Sequence, residues 1–534
     1  MKGLDLIPIV DLFAGPGGLG EGFSSVEGDP FRIIVSAEME SSAYQTLRLR
    51  AFYRNLKRQG SAFMAPYYHY CNEGAGNPFD PRTRLDDIAD LARRKAEREA
   101  RQFTLGDKED NRTLDKILKE HDLSEASPWV LIGGPPCQAY SLVGRSRNRG
   151  KLDYKPEEDH RHFLYREYLR IIQQYRPAVF VMENVKGILS SKVDGKRIFN
   201  TILHDLADPN RALNKRKVGA EGYRIHSLSC STYFDLDENQ SADEIDARDF
   251  IIRAEEYGIP QARHRVILLG VRKDLCKGSK AIKPSQLVRS PKRSVGEVIN
   301  HLPPLRSRLS KQEDSDARWI ALMKEHFSYL EKEARSQSGT ADLASVFNQC
   351  KKDLKDGLFS GGLRISKDSK MKSLSTDMEQ WYVDPNVAVW LNHESRGHMA
   401  SDLLRYAYSA AFAKARGRSP KGHEEFLIDG LRPNHENWES GKFSDRFRVQ
   451  LKNLSATTIT SHISKDGHYF IHYDPIQCRS LTVREAARLQ TFPDNYFFEG
   501  NRTQQYHQVG NAVPPLLSRK IAEIVQKLLF SKVN

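Results

Sequence analysis

The chain has 534 residues, 39% hydrophobic and 28% charged, with a formal net charge of +13. That length suffices for two domains or one large domain with insertions, and the composition is that of a soluble globular protein. No apolar run approaches membrane-spanning length. The amino terminus carries Asp5 and Asp11 in its apolar run and lacks a signal-peptide cleavage pattern. Six cysteines (Cys71, Cys137, Cys230, Cys276, Cys350, Cys478) are scattered, without zinc-like spacing or a disulfide framework. A reducing cytoplasm and no bound metal are expected. The basic surplus fits a polyanionic partner such as nucleic acid, although charge alone does not separate that from a merely basic protein.

Taken in chain order, residues 7–13 (IPIVDLF) read as a short buried strand. It runs into a glycine loop at 14–20 and a helical segment at 21–26, the start of a Rossmann-type unit. Gly15, Gly17, Gly18 and Gly20 are packed closer than in the usual dinucleotide-binding pattern, so the loop by itself names no ligand. A second strand, 31–37, ends in Glu38-Met39-Glu40. An acid there is placed to accept hydrogen bonds from ribose hydroxyls; a plain surface carboxylate is the alternative. Residues 60–105 look like an insertion. Their charged helical run at 91–101 reads as a solvated face.

Residues 129–132 form another buried strand, followed by Gly133-Gly134-Pro135-Pro136-Cys137. The glycines let the backbone turn, and the prolines stiffen the loop. A thiol at the carboxyl edge of a parallel sheet sits where such sheets bind ligands. A lone cysteine is otherwise usually an inert core residue. Residues 142–160 are basic and polar, with Arg145, Arg147, Arg149 and Lys151. The strand 176–185 ends in Glu183-Asn184. A carboxylate abutting Val179 to Met182 is expected to be partly desolvated, which raises its pKa and suits a proton donor. Gln261, Arg263 and Arg265 precede a strand running to 270. Alternate residues share a strand face, so the two arginines are expected to project together as a phosphate or base clamp; two solvated arginines on an edge strand are the bland alternative. The span 273–454 is variable in character, with a helix expected over 402–415 beside Lys414, Arg416 and Arg418.

Six blocks carry a resemblance. They are 11–15 (DLFAG), 135–138 (PPCQ), 183–185 (ENV), 261–265 (QARHR), 481–493 (LTVREAARLQTFP) and 508–515 (QVGNAVPP). In this order they resemble the DNA (cytosine-5)-methyltransferase family of prokaryotic type, over residues 1–60, 100–275 and 455–534. The resemblance implies an α/β fold: a Rossmann-like S-adenosylmethionine-dependent methyltransferase sheet with a smaller target-recognition domain. The domains implied are a catalytic and cofactor-binding domain at 1–272, with the insertion at 60–105, a recognition domain at 273–480, and a segment at 481–534 returning to the catalytic domain.

The resemblance also implies roles. Cys137 matches the nucleophile that adds to carbon 6 of a flipped cytosine, making carbon 5 nucleophilic enough to take a methyl group. Glu183 matches the acid that holds ring nitrogen 3 and the exocyclic amine, and Arg263 and Arg265 match the pair holding the nucleotide. S-adenosyl-L-methionine would lie against Phe13, Gly15, Pro16, Gly17, Gly18, Glu38, Met39, Pro136, Leu164, Asn511 and Val513. Met39 stands where many relatives have tryptophan. Asp107 is the acid chosen for the adenine amino group, with Asp86 and Asp87 as competitors. Gln138, Ser141, Arg145, Asn184, Gln261 and Thr458 are expected to touch DNA. Double-stranded DNA is the implied partner of a monomeric cytoplasmic enzyme that either stands alone or serves a cognate restriction endonuclease it does not touch. A transfer RNA cytosine-5 methyltransferase and a catalytically silent DNA-binding regulator are the alternatives.

Overall fold

The computed structural model describes residues 6–136, 160–193, 196–213, 222–238, 240–276, 283–367, 374–433 and 446–530. Its centre is a nine-stranded sheet. The strands are β1 (Ile7–Leu12), β2 (Phe31–Glu38), β3 (Ala100–Gln102), β4 (Val130–Gly133), β5 (Val179–Val185), β6 (Tyr223–His226), β7 (Tyr233–Phe234), β8 (Ile251–Arg253) and, after the short β9 (Gln261–Ala262) outside the sheet, β10 (His264–Arg272). Across the sheet the order is β3-β2-β1-β4-β5-β10-β6-β7, with β8 paired to β10. The β3 to β5 half is parallel. Strands β10, β6 and β7 run antiparallel to their neighbours.

The central strands are largely apolar because both faces are covered, as parallel sheets require. The pleat sorts their residues into two cores. Val10, Leu12, Leu131, Phe180 and Met182 meet α5 (Lys108–Glu120), α6 (His160–Tyr175) and α7 (Ile198–Ala207) on one face. Ile9, Val130, Ile132, Val179 and Val181 meet α1 (Gly18–Ser24) and the last helix, α13 (Pro515–Phe530), on the other. The carboxyl ends of β1, β2, β4 and β5 therefore lie along one edge, where a doubly wound sheet takes its ligands.

Residues 60–105 are less separate than an insertion. After α2 (Ser41–Gln59), the helices α3 (Ala65–Glu73) and α4 (Asp87–Glu99) lead directly into β3, the edge strand of the sheet. The run at 91–101 is only half solvated: Leu91, Arg94 and Arg98 are exposed, whereas Ala92, Ala96 and Glu99 are buried. Alanines three and four apart make a flat stripe on which α2 packs.

The later span holds α8 (Asp316–Ser336), α9 (Ala341–Asp353) and α10 (Ala400–Arg416) around one core. The helix expected over 402–415 is α10; Gly417, at φ +67°, ends it. Strands β11 (Gly361–Ser366) and β12 (Val389–Glu394) pair antiparallel. Residues 483–512, including α11 (Val483–Leu489) and α12 (Arg502–Asn511), share a core with 295–302 and 374–390. The return to the central sheet expected from residue 481 is thus made by Val513 and α13. Among the described residues no helix is long and apolar enough to cross a membrane.

One polar residue breaks the apolar pattern of the central strands. Asp11 is fully buried in β1, and among the described residues neither carboxyl oxygen has a hydrogen-bond partner. Burial pushes its pKa up to about 8, opposed in part by Arg54. The folded chain then keeps a proton that the unfolded chain releases above about pH 4. Stability associated with Asp11 is full below that pH and is lost as pH rises towards 8. Asp11→Asn is therefore expected to melt about 2 °C or more above the parent at pH 8, with the gap closing towards pH 5. Melting curves of the two proteins that run parallel from pH 5 to pH 8 would contradict this account.

Candidate active site

The glycine loop leaves β1 through backbone that turns sharply. Phe13 and Gly15 both have φ +57°, and Gly17 has φ +95°. A side chain on Gly15 would meet nothing within 4 Å, so this residue faces open space. Gly18 has another duty: a Cβ there would lie 2.1 Å from the Val513 carbonyl oxygen, so its missing side chain admits the last block of the chain. Glu38, the last residue of β2, holds the loop from the side. Its Oε2 accepts from the Gly15 N–H at 2.9 Å, and its Oε1 accepts from the Glu40 N–H at 2.8 Å. Burial raises its pKa despite these donors.

Around this loop the other expected cofactor residues are spread unevenly. Met39 is 59% exposed. Phe13 and Leu164 pack, half-buried, against the same core, and Pro136 is also half-buried. Val513 is buried, whereas Asn511 is exposed at the end of α12. Asp107 is exposed and caps α5. Its Oδ1 accepts from the N–H groups of Glu109 at 2.8 Å and Asp110 at 3.1 Å, which hold the carboxyl below its ordinary pKa.

A second cluster lies at the end of β5. Register pairs Val185 with Arg265 and Glu183 with Ile267, bringing the start of β10 beside the end of β5. Arg265 Nε lies 2.9 Å from Glu183 Oε1, with both side chains largely buried. The carboxylate above the apolar run is thus balanced by a guanidinium, a pairing set by strand register that no local pattern encodes. A Cβ on Gly134 would stand 3.2 Å from Glu183 Oε2, so the carboxylate borders the Gly134-Pro135-Pro136 loop. Asn184 is expected to touch DNA. Instead it is buried, and its Nδ2 donates to the Pro135 carbonyl at 3.1 Å, tying the same loop to β5. Cys137, Gln138, Ser141, Arg145 and the rest of the basic stretch to residue 159 lie outside the described residues.

Three more residues expected at the nucleic acid form an internal joint. Gln261 is fully buried. Its Nε2 donates to the Leu489 carbonyl at 3.2 Å and to Gln490 Oε1 at 3.0 Å, while its Oε1 accepts from the Ile459 N–H at 2.7 Å. Arg263 is buried too. Its Nη1 donates to the Ile459 carbonyl at 2.7 Å, and both Nη atoms donate to the Gly510 carbonyl at 3.2 Å. Burial, and Arg265 next to it, push the Arg263 pKa well down. Thr458 Oγ1 donates to the Ala262 carbonyl at 2.7 Å. Strand β9 pairs in parallel with β13 (Ala456–Thr457) at the same place. Arg263 and Arg265 therefore do not act as one exposed clamp: Arg265 faces Glu183, and Arg263 fastens the joint.

The family model described as C-5 cytosine-specific DNA methylase matches residues 100–210 and 249–527. The type II methyltransferase M.Bpa9945I of Bacillus paralicheniformis is 32% identical over 529 residues, covering 98% of this chain and 99% of that protein. The DNA (cytosine-5-)-methyltransferase M.ApeKI of Aeropyrum pernix is 26% identical over 440 residues, covering 76% and 83%. A solved E. coli structure, described as that of a putative DNA modification methyltransferase encoded within a prophage, shares the fold with TM-score 0.50 and 18% identity, over 98% of this chain and 99% of that one. The nine-stranded sheet, the glycine loop and the Glu183–Arg265 pair beside the Pro-Pro loop thus stand in a chain that belongs to the C-5 cytosine-specific DNA methylase family and is a DNA (cytosine-5-)-methyltransferase.

Proposed function

We propose that this chain transfers a methyl group from S-adenosyl-L-methionine to carbon 5 of a cytosine flipped out of a specific duplex sequence, through a covalent adduct at Cys137, as the modification enzyme of a restriction-modification system. The observation that carries this reading is the Glu183–Arg265 pair beside the loop that leads to Cys137. Full-length likeness to a type II methyltransferase supports the restriction-modification role.

The glycine loop suits the cofactor. Gly15 borders open space, Glu38 stands beside it with a carboxylate fit for ribose hydroxyls, and exposed Met39 can cover an adenine ring with its thioether. Phe13, Pro16, Gly17, Pro136, Leu164 and Val513 would complete the cradle, with Asp107 for the adenine amino group. When bound, S-adenosyl-L-methionine supplies an electrophilic methyl group.

The remaining chemistry belongs to the chain. Carbon 5 of cytosine is a poor nucleophile. The Cys137 thiolate bonds to carbon 6, and the electron pair displaced from the ring double bond makes carbon 5 enamine-like. Glu183 holds ring nitrogen 3 and the exocyclic amine, and supports protonation there as sulfur adds. Arg265 fixes Glu183 for that task. Once carbon 5 carries the methyl group, loss of its proton restores the double bond and expels the thiolate. None of these groups can reach a base stacked in a duplex, so the cytosine must be extruded.

Duplex DNA carrying 5-fluorocytosine in its recognition sites is expected to trap the adduct, because fluorine at carbon 5 cannot leave as a proton does. Peptide mapping should place the crosslink on Cys137, and Cys137→Ser should form none. Methylation retained by Cys137→Ser would overturn the assignment. Glu183→Gln is expected to slow single-turnover methyl transfer about 100-fold or more, with affinity for DNA changed far less. An unchanged single-turnover rate would remove Glu183 from the chemistry.

A further inference from the structure

Asn495 and Tyr496 occupy a junction that neither the chemistry nor DNA reading explains. Both are buried in the turn between α11 and α12, and their polar groups are addressed to separate parts of the chain. The Tyr496 hydroxyl donates to the Pro16 carbonyl in the glycine loop, and a Cβ on Gly17 would come within 3.0 Å of that hydroxyl. Asn495 Nδ2 donates to Asp384 Oδ2 at 2.7 Å and to the Tyr53 hydroxyl at 3.1 Å. Its carbonyl accepts from the Tyr67 hydroxyl of α3 at 2.6 Å. Asp384 belongs to the span expected to read DNA, just before β12, and also accepts from the Tyr68 hydroxyl at 2.8 Å.

The surroundings make this turn stiff. Arg50 of α2 forms a two-toothed ion pair with Glu21 of α1, at 2.6 and 2.8 Å, and its guanidinium lies over the rings of Tyr53 and Tyr496. Arg54 pairs with Glu99 of α4. Arg364 of β11 donates to the Tyr70 and Cys71 carbonyls of α3 at 3.0 and 2.8 Å. Helices α3 and α4 therefore brace the turn against both halves of the chain.

Pro16 sits between two glycines in left-handed backbone, in a loop that Glu38 already holds at the Gly15 N–H. The hydrogen bond from fully buried Tyr496 adds a second hold, at the Pro16 carbonyl. We propose that Asn495 and Tyr496 are positioning residues through which the DNA-reading half sets the cofactor loop: Asp384 fixes Asn495, and Tyr496 fixes Pro16. This inference rests on the reading that the glycine loop binds S-adenosyl-L-methionine.

The test is titration calorimetry of S-adenosylhomocysteine into the full chain and three variants: Asp384→Ala, Tyr496→Phe and the double variant. Losing one such hydrogen bond is expected to weaken binding about three- to tenfold in each single variant. The double variant should be no weaker than Tyr496→Phe, because Asp384 acts through Tyr496. DNA affinity should stay within about twofold throughout, a pattern that general loss of structure would not leave. If Asp384→Ala does not fold, Tyr68→Phe, which removes one donor to Asp384, is expected to show the same pattern at smaller size. Parent-like affinity in Asp384→Ala, strictly additive losses, or a loss confined to DNA affinity would each overturn the inference. Failure of the parent to bind S-adenosylhomocysteine would instead overturn the cofactor reading itself, and this inference with it.

Discussion

The site depends on one buried joint. Gln261 and Arg263 precede the strand that carries Arg265, and they are held by atoms from 459, 489, 490 and 510. A buried guanidinium is costly unless its N–H groups find acceptors. The Arg263 Nη atoms find them in two backbone carbonyls, those of Ile459 and Gly510. Any relative movement of these segments would strand that charge. The start of β10 is therefore fixed, Arg265 with it, and so is the carboxylate of Glu183 that Arg265 faces. From Glu183 the order passes through Asn184 to the Pro135–Pro136 loop. These separate stretches of chain are joined into one frame at the edge of the sheet.

That frame explains which parts of the molecule were legible in the sequence. Strands β1, β2, β4 and β5 announced themselves as short apolar runs, because burial on both faces demands them. The glycine loop and Glu38 were legible for a similar reason: sharp turns and a carboxylate after a strand have few local explanations. The joint was not legible. Gln261, Arg263, Asn184 and Thr458 read as groups for a ligand because polar side chains near a site usually serve one. Their partners are mostly backbone groups distant in sequence (Ile459 lies 196 residues from Arg263, Pro135 49 from Asn184), and no local pattern encodes such a contact. The Glu183–Arg265 pair was hidden likewise, since it follows from antiparallel register between strands far apart in the chain. Strand β3, three residues of mixed polarity, gives no periodic signal at all. Cys137 lies outside the described residues, so its assignment rests on its motif and on the loop that reaches it.

Charge is arranged in the same spirit. Several arginines are internal and matched: Arg50 with Glu21, Arg479 with Glu485, Arg488 with Asp494. Such pairs cancel within the core, so they add nothing to the net charge of +13. The surplus therefore resides in the remaining lysines and arginines, and it suits an enzyme whose substrate is a polyanion. Burial also separates two kinds of acid in the catalytic half. Asp11, desolvated by burial and only partly offset by Arg54, holds its proton towards neutral pH, whereas Glu21 is held ionised by Arg50 despite full burial.

Carbon 5 of cytosine in duplex DNA is the proposed acceptor of the methyl group. The most direct measurement uses the purified chain, duplex DNA of mixed sequence and S-adenosyl-L-methionine bearing a deuterated methyl group, followed by digestion to nucleosides and mass spectrometry. The account predicts that the label appears in 5-methyldeoxycytidine alone, and only from duplexes that contain the recognition sequence. Label in N4-methyldeoxycytidine or N6-methyldeoxyadenosine would contradict it.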